Sequence, residues 1–568
     1  MLLAGIFAAL FSARAIARLP DSAVAPNCSA QPQFCAAITR YAKLLRLPGY
    51  ALAVARNGRI VYVQTEGFAD RERKRPIRAD SIFPIASITK TFTAALMMRY
   101  AEAGQIKLDD YLTDYPPVGD AVTWPFNSSE IRLRHVLSHT SESPTPGEVF
   151  SYNGNRFNYV YGVFAKLSGD KDYAQAFIRA VHSGILDPLG LRDTLTEFPG
   201  EKDAHASRVV TPYRYDARRG DFVADDDLQR GHRHAYPNSG MLSTLADLVR
   251  YVHALDGAEL MRPASVAEMT APFRLRRGTV SPYGLGWFSE DYHGTKLNWV
   301  YGLGPSYASF LLHVPSEKLT FVFLANNDAP TAALRLNYGH ALQFPPAALF
   351  LRNFSAAGRA IPAFDADADV HALQTAVERT PAKERDAALT QITGIALTQR
   401  YVEETFREFP GRALEIAKLL HRINPEYFRS VRPELIALLS ELSDPGLIGA
   451  MDDLGAAYAK DAIDPRISQD FGNFYARIGD ERATAYRAAL VAAPGYEAND
   501  ATIASAFELG DEYFKRGNAA AGRNYYWIGI RDALNAGWRS GFAEAKRQRL
   551  NELTHADETS ARPAAEQK

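Results

Sequence analysis

Ser87-Ile88-Thr89-Lys90 sets a hydroxyl and an amine three residues apart, at the head of an apolar run that continues to Glu102. On a helix that spacing puts both side chains on one face, one turn apart. A helix N-terminus offers unpaired N–H groups and partial positive charge, which favour an alkoxide or an oxyanion at Ser87. Serine is a poor nucleophile until a base takes its proton. Lys90 can be that base only when neutral. Its reference pKa is about 10.4, so burial must lower it by roughly three pH units, worth about 4 kcal/mol. The chemistry this pair supports is nucleophilic attack by an activated serine hydroxyl. The same tetrad also fits a capping serine beside a solvent-facing lysine, and Ser-x-x-Lys occurs by chance in long chains.

The elements around the pair must decide between these. Ile88–Glu102 reads as a helix closed by Gly104. Its apolar residues lie nearly all round, the pattern of a buried helix. Tyr50–Ala55 and Ile60–Val63, joined by Asn57-Gly58, read as a hairpin. Ser309–Val314 and Leu319–Leu324, joined by Pro315-Ser316-Glu317-Lys318, read as a second. Residues 105–145 are acidic, proline-containing loops. Beyond about residue 360 strand patterns give way to amphipathic helical segments from His371 to Leu553, broken at Pro410, Pro425, Pro433, Pro445, Pro465 and Pro494. Phe471–Asp480 and Glu508–Asn518 repeat Gly, Tyr and Gly at matching offsets, Gly479 and Gly517 lying 38 residues apart (517 minus 479). They resemble the first helix and turn of tetratricopeptide repeats, although that family's period is roughly 34 residues. An irregular helical domain with two similar helix pairs fits equally.

The chain has 568 residues, 47% hydrophobic and 23% charged, with a formal net charge of -1. That balance gives no electrostatic reason to bind nucleic acid, and no basic run is interleaved with aromatics. Leu2–Phe11 is a short apolar run followed by Ala13-Arg14-Ala15 and Ala15-Ile16-Ala17, small-x-small patterns of a cleavage site. Residues 1–17 are therefore expected to be an export signal, although no Lys or Arg precedes the run. The run is too short to span a bilayer. The expected location is periplasmic or secreted, with no transmembrane segment after cleavage. The chain's two cysteines, Cys28 and Cys35, follow directly. They can close a small loop in an oxidising compartment or remain free thiols. His135 and His139 are four apart, but Val136 stands where a zinc protease has Glu, so both are expected to be structural and no metal or other cofactor is expected.

Several segments, in order, resemble the serine β-lactamase and penicillin-binding-protein family of class C β-lactamases, D-Ala-D-Ala carboxypeptidases and esterases. Phe83–Ala94 (Phe-Pro-Ile-Ala-Ser-Ile-Thr-Lys-Thr-Phe-Thr-Ala) is similar to that family's nucleophile segment. Gly104–Asp110 looks like its post-helix loop, and Ile131–Ser141 (Ile-Arg-Leu-Arg-His-Val-Leu-Ser-His-Thr-Ser) like its Leu-Arg-His-Leu-Leu-Ser-His-Thr-Ser segment. Pro146–Tyr152 looks like the approach to its catalytic tyrosine. Ser239–Leu248 and Tyr283–Trp287 also have counterparts. The likeness covers about residues 45 to 330. It implies Ser87 as the acylated nucleophile, Lys90 as its proton acceptor and Tyr152 as a phenol sharing the proton transfer.

Two departures bear on substrate. The family has Tyr-Ser-Asn or Tyr-Ala-Asn where Tyr152-Asn153-Gly154 stands here, leaving Asn153 or Asn155 to substitute. The family's Lys-Thr-Gly or His-x-Gly strand corresponds to Val300-Tyr301-Gly302, which puts Val300 in place of the cation. The Leu303 N–H can still complete an oxyanion hole with that of Ser87, because backbone donors survive side-chain changes. Without the cation, esters or uncharged amides fit better than penicillins or D-Ala-D-Ala peptides, which carry a carboxylate.

The expected fold is α+β: an antiparallel sheet flanked by helices with a helical subdomain, β-lactamase/transpeptidase-like, followed by an all-α helical-repeat-like domain. The expected boundaries are 30–355 for the hydrolase domain, 365–555 for the tetratricopeptide-like domain and 556–568 for a disordered tail. The expected partner is a small-molecule or peptide substrate, with a protein partner for the helical domain as a further expectation. A catalytically weak hydrolase fold serving as a binding protein is the competing function; a metal hydrolase has no ligand cluster behind it.

Overall fold

The computed structural model describes residues 28–116, 130–141, 145–225, 234–276, 278–362, 364–461, 465–492, 500–535 and 540–560. The expected export signal lies outside them.

The architecture is α+β. Seven strands form one sheet: β1 (Gly49–Arg56), β2 (Arg59–Asp70), β3 (Arg75–Pro76), β4 (Phe288–Tyr292), β5 (Thr295–Leu303), β6 (Ala308–Val314) and β7 (Leu319–Ala325), in spatial order β3-β2-β1-β7-β6-β5-β4. Every neighbouring pair is antiparallel. The sheet brings the two ends of the fold together, because β1 pairs with β7 from Tyr50↔Ala325 to Arg56↔Leu319.

Alternation along the strands divides the sheet into two buried faces. Ala51, Ala53, Ala55, Val300, Leu311, Val322 and Leu324 turn one way, onto α2 (Thr89–Glu102) and α3 (Leu245–Asp256). The small alanines let these helices sit close. Leu52, Val54, Trp299, Tyr301, Phe310, Phe321 and Phe323 turn the other way, onto α1 (Pro32–Leu44) and α4 (Pro345–Phe354). Every residue of α2 from Thr89 to Met98 is buried. The all-round apolar pattern of this helix thus corresponds to a helix held between the sheet and the helical segments Tyr173–Val181 and Pro263–Met269. Cys28 and Cys35 form a disulfide, Cα atoms 5.3 Å apart, tethering the start of α1.

From Val370 onward every α-helix or strand among the described residues is a helix. The apolar core on the second face of the sheet continues without a break through α5 (Arg385–Phe406) as far as Phe474, Tyr475 and Ala483. The two similar segments form packed helix pairs: α6 (Pro465–Arg477) with α7 (Arg482–Ala492), and α8 (Asp500–Lys515) with α9 (Ala519–Asn535). Gly479 and Gly517 make the turns. A last helix runs from Ser540 to Ser560, past the start of the expected tail, where Ala556 and Glu558 favour helix. No helix among the described residues is long and apolar enough to cross a membrane.

Candidate active site

The turn that carries Ser87 lies where the sheet meets α2. Phe83-Pro84 pairs with Leu242-Ser243, and the Ile85 N–H donates to the Met241 carbonyl at 3.0 Å. Ala86–Ile88 then forms one 3-10 turn before α2 begins. Ala86 has φ 44°, in the left-handed region. For an alanine that conformation costs about 1–2 kcal/mol, and the packing around it fixes it. Ala86 is buried against Tyr307, and the carbonyl before it accepts from Ser309 Oγ at 2.8 Å. The result leaves Ser87 half-buried at the head of the helix.

Lys90 is 1% exposed. Its Nζ lies 2.8 Å from Ser87 Oγ and 3.0 Å from the Asn238 carbonyl oxygen. Burial lowers the ammonium from 10.5 to about 7, because a charge inside this packed site loses its hydration. The solvent-facing lysine that sequence left open is not what the fold contains.

Tyr152 is brought to the same place by the loop after residue 145. The Ser151 N–H donates to the His139 carbonyl at 2.9 Å, and the Asn153 N–H to His139 Nδ1 at 3.4 Å. These bonds bracket Tyr152. Its ring lies 4.4 Å from that of His139, and 5.7 Å from those of Phe288 and Tyr301. Lys90 Nζ sits 5.5 Å from the Tyr152 ring centroid. Burial pushes the phenol up to about 12, the Ser87 hydroxyl drawing it back in part.

Strand β5 closes the other side. β4 pairs only with Thr295–Trp299, so among the described residues no strand pairs with the outer edge of Val300–Leu303. Gly302 pairs with Ser309, Leu303 with Ala308, and the Gly304 N–H donates to the Tyr307 carbonyl at 2.9 Å. Antiparallel alternation then turns the Leu303 N–H outward, toward the open edge. Gly302 lies against the turn that carries Ser87: a Cβ there would come within 2.6 Å of the Ile85 oxygen and 2.9 Å of Ala86 Cβ, and closer still to Ser309 Oγ. Gly286 plays a similar part on α2, where a Cβ would meet Ala94 Cβ at 2.6 Å and the Lys90 oxygen at 3.0 Å. Val300 is fully buried among the residues packed on α2, and the Tyr301 ring is tilted against Phe288 and Trp299 in the aromatic layer.

The two asparagines proposed to replace the missing amide do not bond Lys90. Asn153 Oδ1 accepts from the Asn155 N–H at 3.0 Å, and Asn155 Oδ1 from Asn238 Nδ2 at 3.3 Å. Gly154 faces open space, with no atom within 4 Å of where a Cβ would stand. His135 Nδ1 accepts from the Arg132 N–H at 3.1 Å, and burial lowers its imidazole to about 4. It and His139 organise loops. Among the described residues no group of three or more His, Cys, Asp or Glu is placed to hold a metal ion. Asn238, the lysine's second partner, was missed in the sequence. It contributes a backbone carbonyl, which no residue type announces.

The family model described as Beta-lactamase matches residues 36–343. Penicillin-binding protein 4* of Bacillus subtilis (strain 168) is 22% identical over 321 residues, 49% of this chain and 68% of that one. A beta-lactamase of Escherichia coli (strain K12) is 24% identical over 361 residues, 52% of this chain and 88% of that one. Esterase EstB of Burkholderia gladioli is 36% identical over 96 residues, 17% of this chain and 24% of that one.

Proposed function

The chain belongs to the beta-lactamase family of serine hydrolases, acting on amides, esters or lactams, and we propose that it acylates Ser87 with Lys90 as the base and Tyr152 as the acid. The observation that carries this is the 2.8 Å contact between Ser87 Oγ and a lysine nitrogen sealed from solvent. An amine at about 7 is substantially neutral at physiological pH, whereas a phenol at about 12 keeps its proton. Lys90 therefore takes the Ser87 proton as Oγ attacks the carbonyl carbon. The tetrahedral oxyanion is held by the Ser87 and Leu303 N–H groups. Tyr152 donates to the leaving oxygen or nitrogen as the acyl bond breaks, and is reprotonated from the lysine. Water then attacks the acyl-enzyme with the same amine as base, releasing the acid and restoring Ser87.

The substrate we infer is an ester or uncharged amide with an apolar acyl group. Val300 replaces the cation that would meet a carboxylate. The rim beside Ser87 carries Leu303, 48% exposed, with Phe198 packed against Ala86 and Tyr307. A fluorophosphonate probe is expected to label the wild-type protein and not Ser87→Ala. With p-nitrophenyl butyrate, kcat/KM should exceed that for nitrocefin and for a D-Ala-D-Ala peptide by at least about tenfold, since one lost charge-assisted bond is worth roughly 1.5–3 kcal/mol. Equal labelling of both proteins would remove the nucleophile assignment. A preference for the carboxylate-bearing substrates would remove the substrate assignment alone.

The lysine's titration also sets a pH profile. The active form is the free amine, so acylation should rise with pH through about 7 and level off above it. Stopped-flow acylation rates between pH 5.5 and 9 would show this rise. A rate flat across that window would mean the base is some other group.

A further inference from the structure

Among the described residues Lys90 Nζ has two polar partners, the Ser87 hydroxyl at 2.8 Å and the Asn238 carbonyl at 3.0 Å. The second is itself held from several sides. The Asn238 N–H donates to Asn158 Oδ1 at 3.2 Å, and Asn238 Nδ2 donates to Asn155 Oδ1 at 3.3 Å. Ser239 Oγ donates to Asn238 Oδ1 at 3.0 Å. One residue earlier, the Pro237 carbonyl accepts from Thr93 Oγ1 of α2 at 2.7 Å. The segment thus lies along the helix, one carbonyl fixed to Thr93 and the next aimed at Lys90.

A neutral amine has two N–H bonds and one lone pair. If one N–H is committed to a fixed carbonyl, the lone pair can be turned onto the Ser87 hydroxyl proton. If that carbonyl is free to move, the amine can equally donate to Ser87 Oγ, which is the wrong direction for deprotonation. Building on the acyl-transfer mechanism above, we propose that Asn155 and Asn158 are positioning residues that clamp Asn238, so that its carbonyl orients the Lys90 lone pair toward Ser87. They take over, at one remove, the task of the side chain that Gly154 lacks. Both sit on the turn that follows Tyr152, Asn158 within Arg156–Val160 and Asn155 just before it. One loop therefore places the phenol and, through Asn238, the amine. Among the described residues the Tyr152 ring also faces the amine at 5.5 Å and the Phe157 ring at 5.7 Å.

The test uses Asn155→Ala, Asn158→Ala, the double variant, and Asn155→Asp and Asn158→Asp, each titrated with fluorophosphonate so that rates are per active serine. Asn155 is exposed, so its replacement leaves the fold intact. Each alanine variant should lower the ester acylation rate about tenfold, and the double variant further, with KM within about twofold, as expected for misorientation of a reacting group. The aspartates keep the accepting oxygen, so they should recover most of the rate. They should also move the acidic limb of the pH profile upward, because a nearby carboxylate favours the ammonium. The clamp is refuted if the alanine variants acylate at the wild-type rate, or if they lose only the fraction of titratable serine. An acidic limb that stays in place in both aspartate variants also refutes it. Failure of the underlying mechanism looks different: Ser87→Ala would then label like the wild type.

Discussion

Lys90→Met is expected to lower the acylation rate by about 10³–10⁴-fold, at the upper end for a general base, while making the protein more stable. The first effect follows from removing the group 2.8 Å from Ser87 Oγ. The second follows from the same burial that makes the amine useful. In the unfolded chain this lysine holds its proton up to about 10.5; in the folded protein it gives it up near 7. Between those values the unfolded state binds more protons, so stability rises with pH. The full penalty, on the order of 5 kcal/mol, applies below pH 7 and is relieved as pH climbs from 7 toward 10.5. Methionine has a similar length and no charge. It gives up two hydrogen bonds worth about 1 kcal/mol each, leaving a net gain at pH 6 that shrinks by pH 9. Thermal unfolding of both proteins at the two pH values measures it. A gain that is the same at pH 6 and pH 9 would show that no buried ammonium is being relieved.

Gly302→Ala is expected to cost both activity and stability. The added methyl group must displace Ser309 Oγ, the Ile85 carbonyl or Ala86, all packed tightly around that position. Overpacking of this kind costs about 1–3 kcal/mol. It also moves the Leu303 N–H relative to Ser87, and loss of one oxyanion donor is worth about 10²–10³ in kcat. Gly154→Ala is the matched control, since its Cβ would meet nothing within 4 Å. If Gly302→Ala turns over at the wild-type rate, Leu303 is not the second donor.

The parts of this site that were legible in sequence have a local signature. Ser87 and Lys90 announce themselves through spacing on an apolar helix. The β1–β2 and β6–β7 hairpins show clear turn residues and apolar strands. Strands β4 and β5 do not: Glu290, Asp291, Lys296 and Asn298 interrupt the apolar pattern, and Val300–Leu303 was placed by family resemblance rather than by alternation. Two further features carry no sequence signal. The left-handed turn at Ala86 is imposed by Tyr307, Ser309 and the packed strand, not by a glycine. Asn238 acts through its backbone, so its place beside Lys90 emerges only when residues 235–241 are laid along α2. The replacement at Gly154 was visible. That Asn155 and Asn158 bond Asn238, whose carbonyl meets Lys90, was not, because it requires three separated segments to meet.

The unbroken apolar layer from the back of the sheet to Phe474 and Ala483 has a consequence for inheritance. Among the described residues no bare seam separates the sheet from the helices behind it as far as Ala483, so neither can be exchanged like a cassette without exposing oily surface on the other. Change in those helices is therefore screened first by whether the whole chain survives in the cell, and only afterwards by what Ser87 does.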